Sequence, residues 1–410
     1  MRFLFIRLLL PALLAAVAAC SDQKSTSAEQ QVVQTTSSDT AVAQPAVAPA
    51  QPPAPDTSDV HNVAAYLAGL PSSRQSSLRT LEGQPGWQAY ATTSNKSWAT
   101  YDSTRTAKIE AWAATELDSV QATSPTIFYP FSGPDFLNVT TMFPTSTTYV
   151  LMGLEPVGTV PQRSTLENPN LFTALKASLW SVLNFSFFRT NDMAVDLKSV
   201  ELDGALPLMM LFAARTNHQV LGVRYIQLSP QGELIEADSA TIRKPSLKTI
   251  PGVEMKLKAK NGPEKTVLYL SADLSDWKLG TTKEAALTYV RTLGPLTTYV
   301  KSATYLMHKA YFSKVRNLIL ERSNYVLQDD SGIAMKYFPA TDWQFTYYGT
   351  YKRPINLFAK HYQPELTATY TDKANPPRPL PFGTGYNWRQ NDSNLLLAHR
   401  RQPVQAQEVQ

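Results

Sequence analysis

The 410-residue chain has almost no cysteine: Cys20 is its one thiol. Nothing downstream can form a disulfide, a thiolate metal site or a cysteine nucleophile, so the folded part relies on its core. Charge is sparse too, at 17% of residues, and the formal net of +5 comes from scattered Lys and Arg. Without a basic cluster there is no footprint for nucleic acid. No H-E-x-x-H, G-x-S-x-G or Walker loop occurs. The five histidines, His61, His218, His308, His361 and His399, lie far apart, with no pair at metal-ligand spacing. Neither a metal nor a cofactor is expected. No apolar run after Ala19 approaches the roughly 20 residues that span a bilayer. What is present, 43% hydrophobic and 10% aromatic residues, is ordinary for a globular protein.

The position of Cys20 is informative. Arg2 and Arg7 precede an apolar stretch from Leu8 to Val17, and small residues follow. Val17-Ala18-Ala19-Cys20 resembles the lipobox of bacterial lipoproteins. The resemblance implies a signal peptide over residues 1–19, removed to leave a lipidated Cys20 as the first mature residue. Several acyl chains anchor stably, at roughly 0.8 kcal/mol per buried CH₂. Ser21 in place of Asp implies sorting to the outer membrane of the cell envelope. Losing Arg2 and Arg7 leaves a formal charge of about +3.

Residues 21–58 are mostly Ser, Thr, Gln, Ala and Pro, without an aromatic, and five prolines fall from Pro45 to Pro55. Such a segment cannot build a core, and residues 20–58 are expected to form a disordered tether reaching on the order of 35 Å. Residues 59–400 suffice for a globular domain, with a short disordered tail over 401–410.

The globular part reads as α/β: a mixed sheet with a Rossmann-like core, an N-terminal helical region and an antiparallel hairpin insertion over 219–275. Helical segments to about Leu117 are broken by Pro71 and by Gly83-Gln84-Pro85-Gly86. Thr126–Phe131 and Thr148–Leu154 are apolar strands. Phe172, Leu175, Leu179, Leu183 and Phe187 follow helical spacing, as does the run from Leu206 to Ala214. Val253, Met255, Leu257 and Ala259 alternate with charged residues, which predicts a strand with one wet face, and Asn261-Gly262 predicts its turn. Thr281-Thr282-Lys283-Glu284 matches a capping box opening a helix that Gly294-Pro295 interrupts and that continues to Ser323. Tyr325–Gln328, the alternation of Trp343, Phe345 and Tyr347, and Asn394–Ala398 predict further strands.

Three polar clusters each follow an apolar strand: Ser132-Gly133-Pro134-Asp135, Glu155, and Asp329-Asp330-Ser331-Gly332. If those strands are parallel, the clusters share the sheet edge where open α/β folds bind ligands. The carboxylates of Asp135, Glu155, Asp329 and Asp330 would supply acceptors or a general base. The plainer alternative is that they cap helices and form turns. Ser132 could be a nucleophile only beside a base, and His218 and His308 are the reasonable partners. Tyr337, Phe338, Trp343, Phe345, Tyr347, Tyr348 and Tyr351 would make either a sugar-stacking platform or part of a sheet core.

The strand, Ser-Gly-Pro-Asp turn, second strand and terminal Glu155 also resemble the opening of a Rossmann-like unit, which implies that Glu155 would hold a ribose. G-x-G-x-x-G is missing, and free nucleotides are scarce outside the cytoplasm. Tyr129–Asp135 and Leu327–Gly332 are similar to phrases in uncharacterised bacterial envelope proteins, which implies no activity. The expected function is a lipid-anchored envelope protein that binds a small molecule or a glycan, or has a structural role. The alternative is a cofactor-free hydrolase using the acidic edge.

The anchor has a direct test. Cys20→Ala should remove fatty-acid labelling and either release the protein from membranes or leave its precursor uncleaved. Unchanged label and membrane recovery would refute the lipobox reading.

Overall fold

The computed structural model describes residues 57–185, 197–259, 262–389 and 391–404. The expected signal peptide, Cys20, nearly all of the tether, Asn261 and the end of the tail lie outside the described residues. The fold is mixed α/β, built on one ten-stranded sheet in the order β4-β3-β5-β6-β2-β1-β7-β8-β10-β9. In chain order the strands are β1 (Thr126–Tyr129), β2 (Thr148–Gly153), β3 (His218–Leu228), β4 (Leu234–Glu236), β5 (Ile250–Ala259), β6 (Glu264–Ser271), β7 (Leu296–Val300), β8 (Ser323–Gln328), β9 (Trp343–Gly349) and β10 (Asn394–Arg400). The principal helices are α1 (Thr57–Leu67), α2 (Pro85–Tyr101), α3 (Ala107–Glu116), α4 (Phe136–Met142), α5 (Leu171–Phe185), α6 (Ala205–Arg215), α7 (Ala285–Arg291) and α8 (Ser313–Arg322). Among the described residues no helix is long and apolar enough to cross a membrane.

The five central strands, β6, β2, β1, β7 and β8, are mutually parallel. Their uninterrupted apolar runs follow from burial on both faces. Ile127, Tyr129, Tyr149, Leu151 and Tyr299 point into one core, against α1 to α6. Phe128, Val150, Met152, Leu268 and Val300 point into the other, against α7 and α8. The β1–α4–β2 crossover runs on the first face and β7–α8–β8 on the second, as right-handed connections require when strand order proceeds in opposite directions. That order reverses between β1 and β7. Antiparallel strands flank both sides: β5, β3 and β4 beyond β6, and β10 and β9 beyond β8. The expected insertion is thus an extension of the same sheet, joined through β6. Its alternation holds, with Val253, Met255 and Leu257 buried and Lys256 and Lys258 exposed.

Several expectations change. The segment around Gly294-Pro295 was expected to interrupt a helix, whereas it leads into β7, whose five residues are all buried at the centre of the sheet. Thr281-Thr282-Lys283-Glu284 leads into α7, but not as a capping box: Glu284 is itself the N-cap residue and makes no side-chain cap hydrogen bond. Thr281 ends a helix that starts at Asp276, Lys283 and Glu284 take positive φ of 51° and 59°, and the Glu284 carboxylate pairs with Lys314 instead of a cap N–H. The aromatic platform is mostly core: Phe338, Trp343, Tyr348 and Tyr351 are buried, and Tyr347 packs on Tyr370. Residues 401–404, expected in the tail, are still held: Arg401 N–H donates to Asp342 O at 2.8 Å and Val404 N–H to Asn324 Oδ1 at 2.6 Å.

Candidate functional site

Parallel strands end on the same edge, and β1 and β7 diverge there because their crossovers leave on opposite faces. A crevice of about 460 Å³ opens at this reversal, the position at which open α/β sheets bind ligands. Four strands deliver its polar walls: Ser132, Gly133 and Asp135 after β1, Glu155 after β2, Asp273 after β6 and Lys301 after β7.

Asp135 and Lys301 form the floor. Both are almost wholly buried, with Lys301 Nζ 2.8 Å from Asp135 Oδ2. The Tyr129 hydroxyl donates to the same oxygen at 2.9 Å. Asp135 Oδ1 accepts the Asn138 backbone N–H at 3.1 Å and its side-chain amide at 2.8 Å, so the residue also caps α4. The carboxylate is saturated, and an anion seeking the N-terminus of α4 would find Asp135 already there.

Glu155 is differently placed. It is half-buried, and its backbone carbonyl accepts the Tyr269 hydroxyl at 2.8 Å, with Oε2 3.3 Å from the same hydroxyl. The carboxylate lies directly over two glycines. A Cβ at Gly133 would come within 2.7 Å of Glu155 Oε1, and one at Gly153 within 2.5 Å of Oε2. Gly133 also takes a φ of 52°, which disfavours an L side chain. Glu155 also borders a second, more apolar cavity of about 630 Å³, formed with Leu154, Leu202, Leu208 and Ile242.

Asp329 and Asp330 stand behind the crevice rather than in it. Asp329 accepts the backbone N–H of Ser302 and of Ser331, each at 2.9 Å, as well as the Ser331 hydroxyl. Asp330 accepts the Tyr305 hydroxyl, and the Asn394 amide at 3.0 Å. Together they brace the loop after β7, where Ser302, Thr304 and Tyr305 all have positive φ. Such conformations persist only where surrounding contacts over-determine them. Burial, and for Asp329 the neighbouring Asp330, pushes these carboxyls above their ordinary range. Of the five residues read from sequence, Ser132, Asp135 and Glu155 therefore line one crevice, and Asp329 and Asp330 support its wall.

Ser132 directs its hydroxyl at backbone carbonyls, Gly133 O and Met152 O, both at 3.1 Å. The two imidazoles considered as its base are engaged elsewhere. His218 Nδ1 lies 3.0 Å from the Thr216 hydroxyl, and the His308 ring meets Tyr305 and His361 edge-on. Burial, with Lys265 beside His218 and His361, Lys336 and Arg316 beside His308, pushes each down to about 4.

Lys301 and Asp273 were missed from sequence. Lys301 follows the unrecognised β7, and its signal was Thr297-Thr298-Tyr299-Val300, β-branched and aromatic residues between a Gly-Pro break and a charge. Asp273 follows Ala272, just beyond the end of β6. Since Asp135 and Lys301 neutralise each other, Glu155 and Asp273 leave the crevice acidic. Comparison with protein-family models finds no match for this chain, and neither does comparison with curated proteins.

Two measurements check these assignments. Asp135→Asn or Lys301→Met each strands a buried charge or donor and should cost about 3–5 kcal/mol in denaturant unfolding, while the double variant should cost less than the sum. Additive losses would mean that the two groups do not interact. The histidine contribution has a definite sign. Between about pH 6.5 and about pH 4 the unfolded chain protonates imidazoles that the folded chain keeps neutral, so their contribution is present above pH 6.5 and is lost as pH falls. Asp329, raised by burial, acts oppositely over an overlapping range. The comparison is therefore wild type against His308→Gln, whose difference in unfolding free energy should shrink as pH falls from 7 to 4.

Proposed function

We propose that the chain is a lipid-anchored bacterial envelope protein, sorted to the outer membrane, that binds a small polyhydroxylated molecule, neutral or cationic, in the crevice between β1 and β7. The observation that carries this reading is Glu155: a half-buried carboxylate at the end of β2, held over two glycines in the crevice. An acid at this place in doubly wound sheets accepts hydrogen bonds from sugar hydroxyls. The charge of the ligand follows from its surroundings. Lys301 is committed to Asp135, Asp135 blocks the start of α4, and Glu155 and Asp273 add negative charge, so a phosphorylated ligand is disfavoured. A monosaccharide, an amino sugar or a nucleoside meets these requirements, and sugars suit the envelope best. Binding is favoured over hydrolysis because Ser132 faces backbone carbonyls and Asp135 is already paired.

A thermal-shift panel of neutral sugars, amino sugars, nucleosides and sugar phosphates tests the reading. Unphosphorylated members should raise the unfolding temperature, a ligand at a hundred times its Kd adding about 2.7 kcal/mol. Glu155→Gln should weaken binding by about tenfold or more, the loss of a hydrogen bond to a charged acceptor. Preferential binding of the phosphates, or unchanged affinity in Glu155→Gln, would overturn it.

A further inference from the structure

A second cavity lies in the N-terminal helical layer. It is a groove of about 500 Å³ between α2 and α5, and among the described residues it shares no lining residue with the crevice. We infer that this groove binds a glycan chain, independently of the ligand at Glu155.

Its first wall is a ladder of hydroxyls. Thr93, Ser97, Thr100 and Thr104 line it at spacings of four, three and four, one face of α2 continued into the π-helical stretch Asp102–Thr106. Each hydroxyl donates to the carbonyl four residues back: Thr93 to Ala89 at 2.9 Å, Ser97 to Thr93 at 3.1 Å, Thr100 to Lys96 at 3.1 Å and Thr104 to Thr100 at 2.6 Å. A hydroxyl has one proton, so these oxygens offer only lone pairs to the groove. The partner they suit is a row of O–H or N–H donors. Helix propensity gives no reason for such a wall. Eight of the fifteen residues from Thr92 to Thr106 are Ser or Thr, which compete with helical hydrogen bonding. A π-helical turn is itself common at functional sites.

The second wall is aromatic. On α5, Leu171, Leu175, Leu179 and Val182 are buried, while Trp180 is 53% exposed and lines the groove. Trp98, buried at 7% exposure, also lines the groove, and its indole N–H has no partner among the described residues. A buried donor without an acceptor is costly, and a ligand oxygen would satisfy it. Lys96 and Lys176 supply the charge, with no carboxylate among the described lining residues. An aromatic face for the apolar side of a pyranose, acceptors for its hydroxyls, a donor for a ring or carbonyl oxygen and lysines for acidic substituents together describe a glycan site. The Arg105 guanidinium donates to Asn184 O at 3.1 Å and ties the π-helical stretch to the end of α5.

Titration calorimetry on the full-length protein with tetra-N-acetylglucosamine and with tetragalacturonate tests the inference. At least one tetrasaccharide should bind. Trp180→Ala should weaken it tenfold or more and Trp180→Phe less. Thr100→Val, nearly isosteric but without the acceptor, should weaken it severalfold, and Glu155→Gln should leave it unchanged. Trp180 is half exposed and Thr100 is on the surface, so unchanged circular dichroism should accompany each variant. Failure of both tetrasaccharides to bind would overturn the proposal, as would unchanged affinity in Trp180→Ala. Loss of binding in Glu155→Gln but not in Trp180→Ala would assign the glycan to the crevice and overturn the groove, leaving the crevice reading intact.

Discussion

The buried ion pair between Asp135 and Lys301 holds together what the rest of the edge depends on. Asp135 belongs to the loop between β1 and α4, and Lys301 ends β7, on the far side of the point where strand order reverses. At that point the backbone ladder continues but the chain leaves in opposite directions on opposite faces, so side chains must tie the two loops together. Asp135 receives four donors, from Lys301, Tyr129 and both nitrogens of Asn138. One carboxylate thereby joins a strand, a helix and the neighbouring strand. Removing two charges from water is costly and is offset only when hydrogen bonding is this complete.

Burial decides how the acids at this edge divide their roles. Asp135, Asp329 and Asp330 are almost wholly buried, and their hydrogen bonds run to backbone N–H groups, hydroxyls, amides and Lys301. They hold loops, including one with three residues at positive φ. Glu155 and Asp273 keep access to solvent and present negative charge to the crevice. The same residue type is thus scaffold or ligand-binding group according to whether its oxygens are already satisfied. The groove between α2 and α5 follows the same rule with hydroxyls: protons committed to the helix leave lone pairs for a partner.

Much of the edge was legible beforehand. Apolar runs at residues 126–131 and 148–154 mark parallel strands buried on both faces, and polar clusters directly after them mark their carboxyl ends. Helical spacing located α5 and α6, and alternation located β5 and β9. The central strand β7 was hidden, because five residues after Gly-Pro carry too little periodicity to separate strand from helix. The apparent capping box failed because its Glu284 has a closer charge partner in Lys314, 30 residues away. The groove was not foreseen either: its hydroxyls line a cavity only because α5, from a distant part of the chain, stands opposite them.

By itself the sequence determined the α/β class, most of the strands and helices, and the shared position of Asp135, Glu155 and Asp329 at strand ends, because burial and turn chemistry act over a few neighbouring residues. Only the tertiary structure decided that Lys301 neutralises Asp135, that Asp329 and Asp330 brace a loop, and that Glu155 keeps its carboxylate in the crevice. Those outcomes depend on pairings between residues more than a hundred positions apart, or on burial by distant elements, and such distances are set when the sheet assembles.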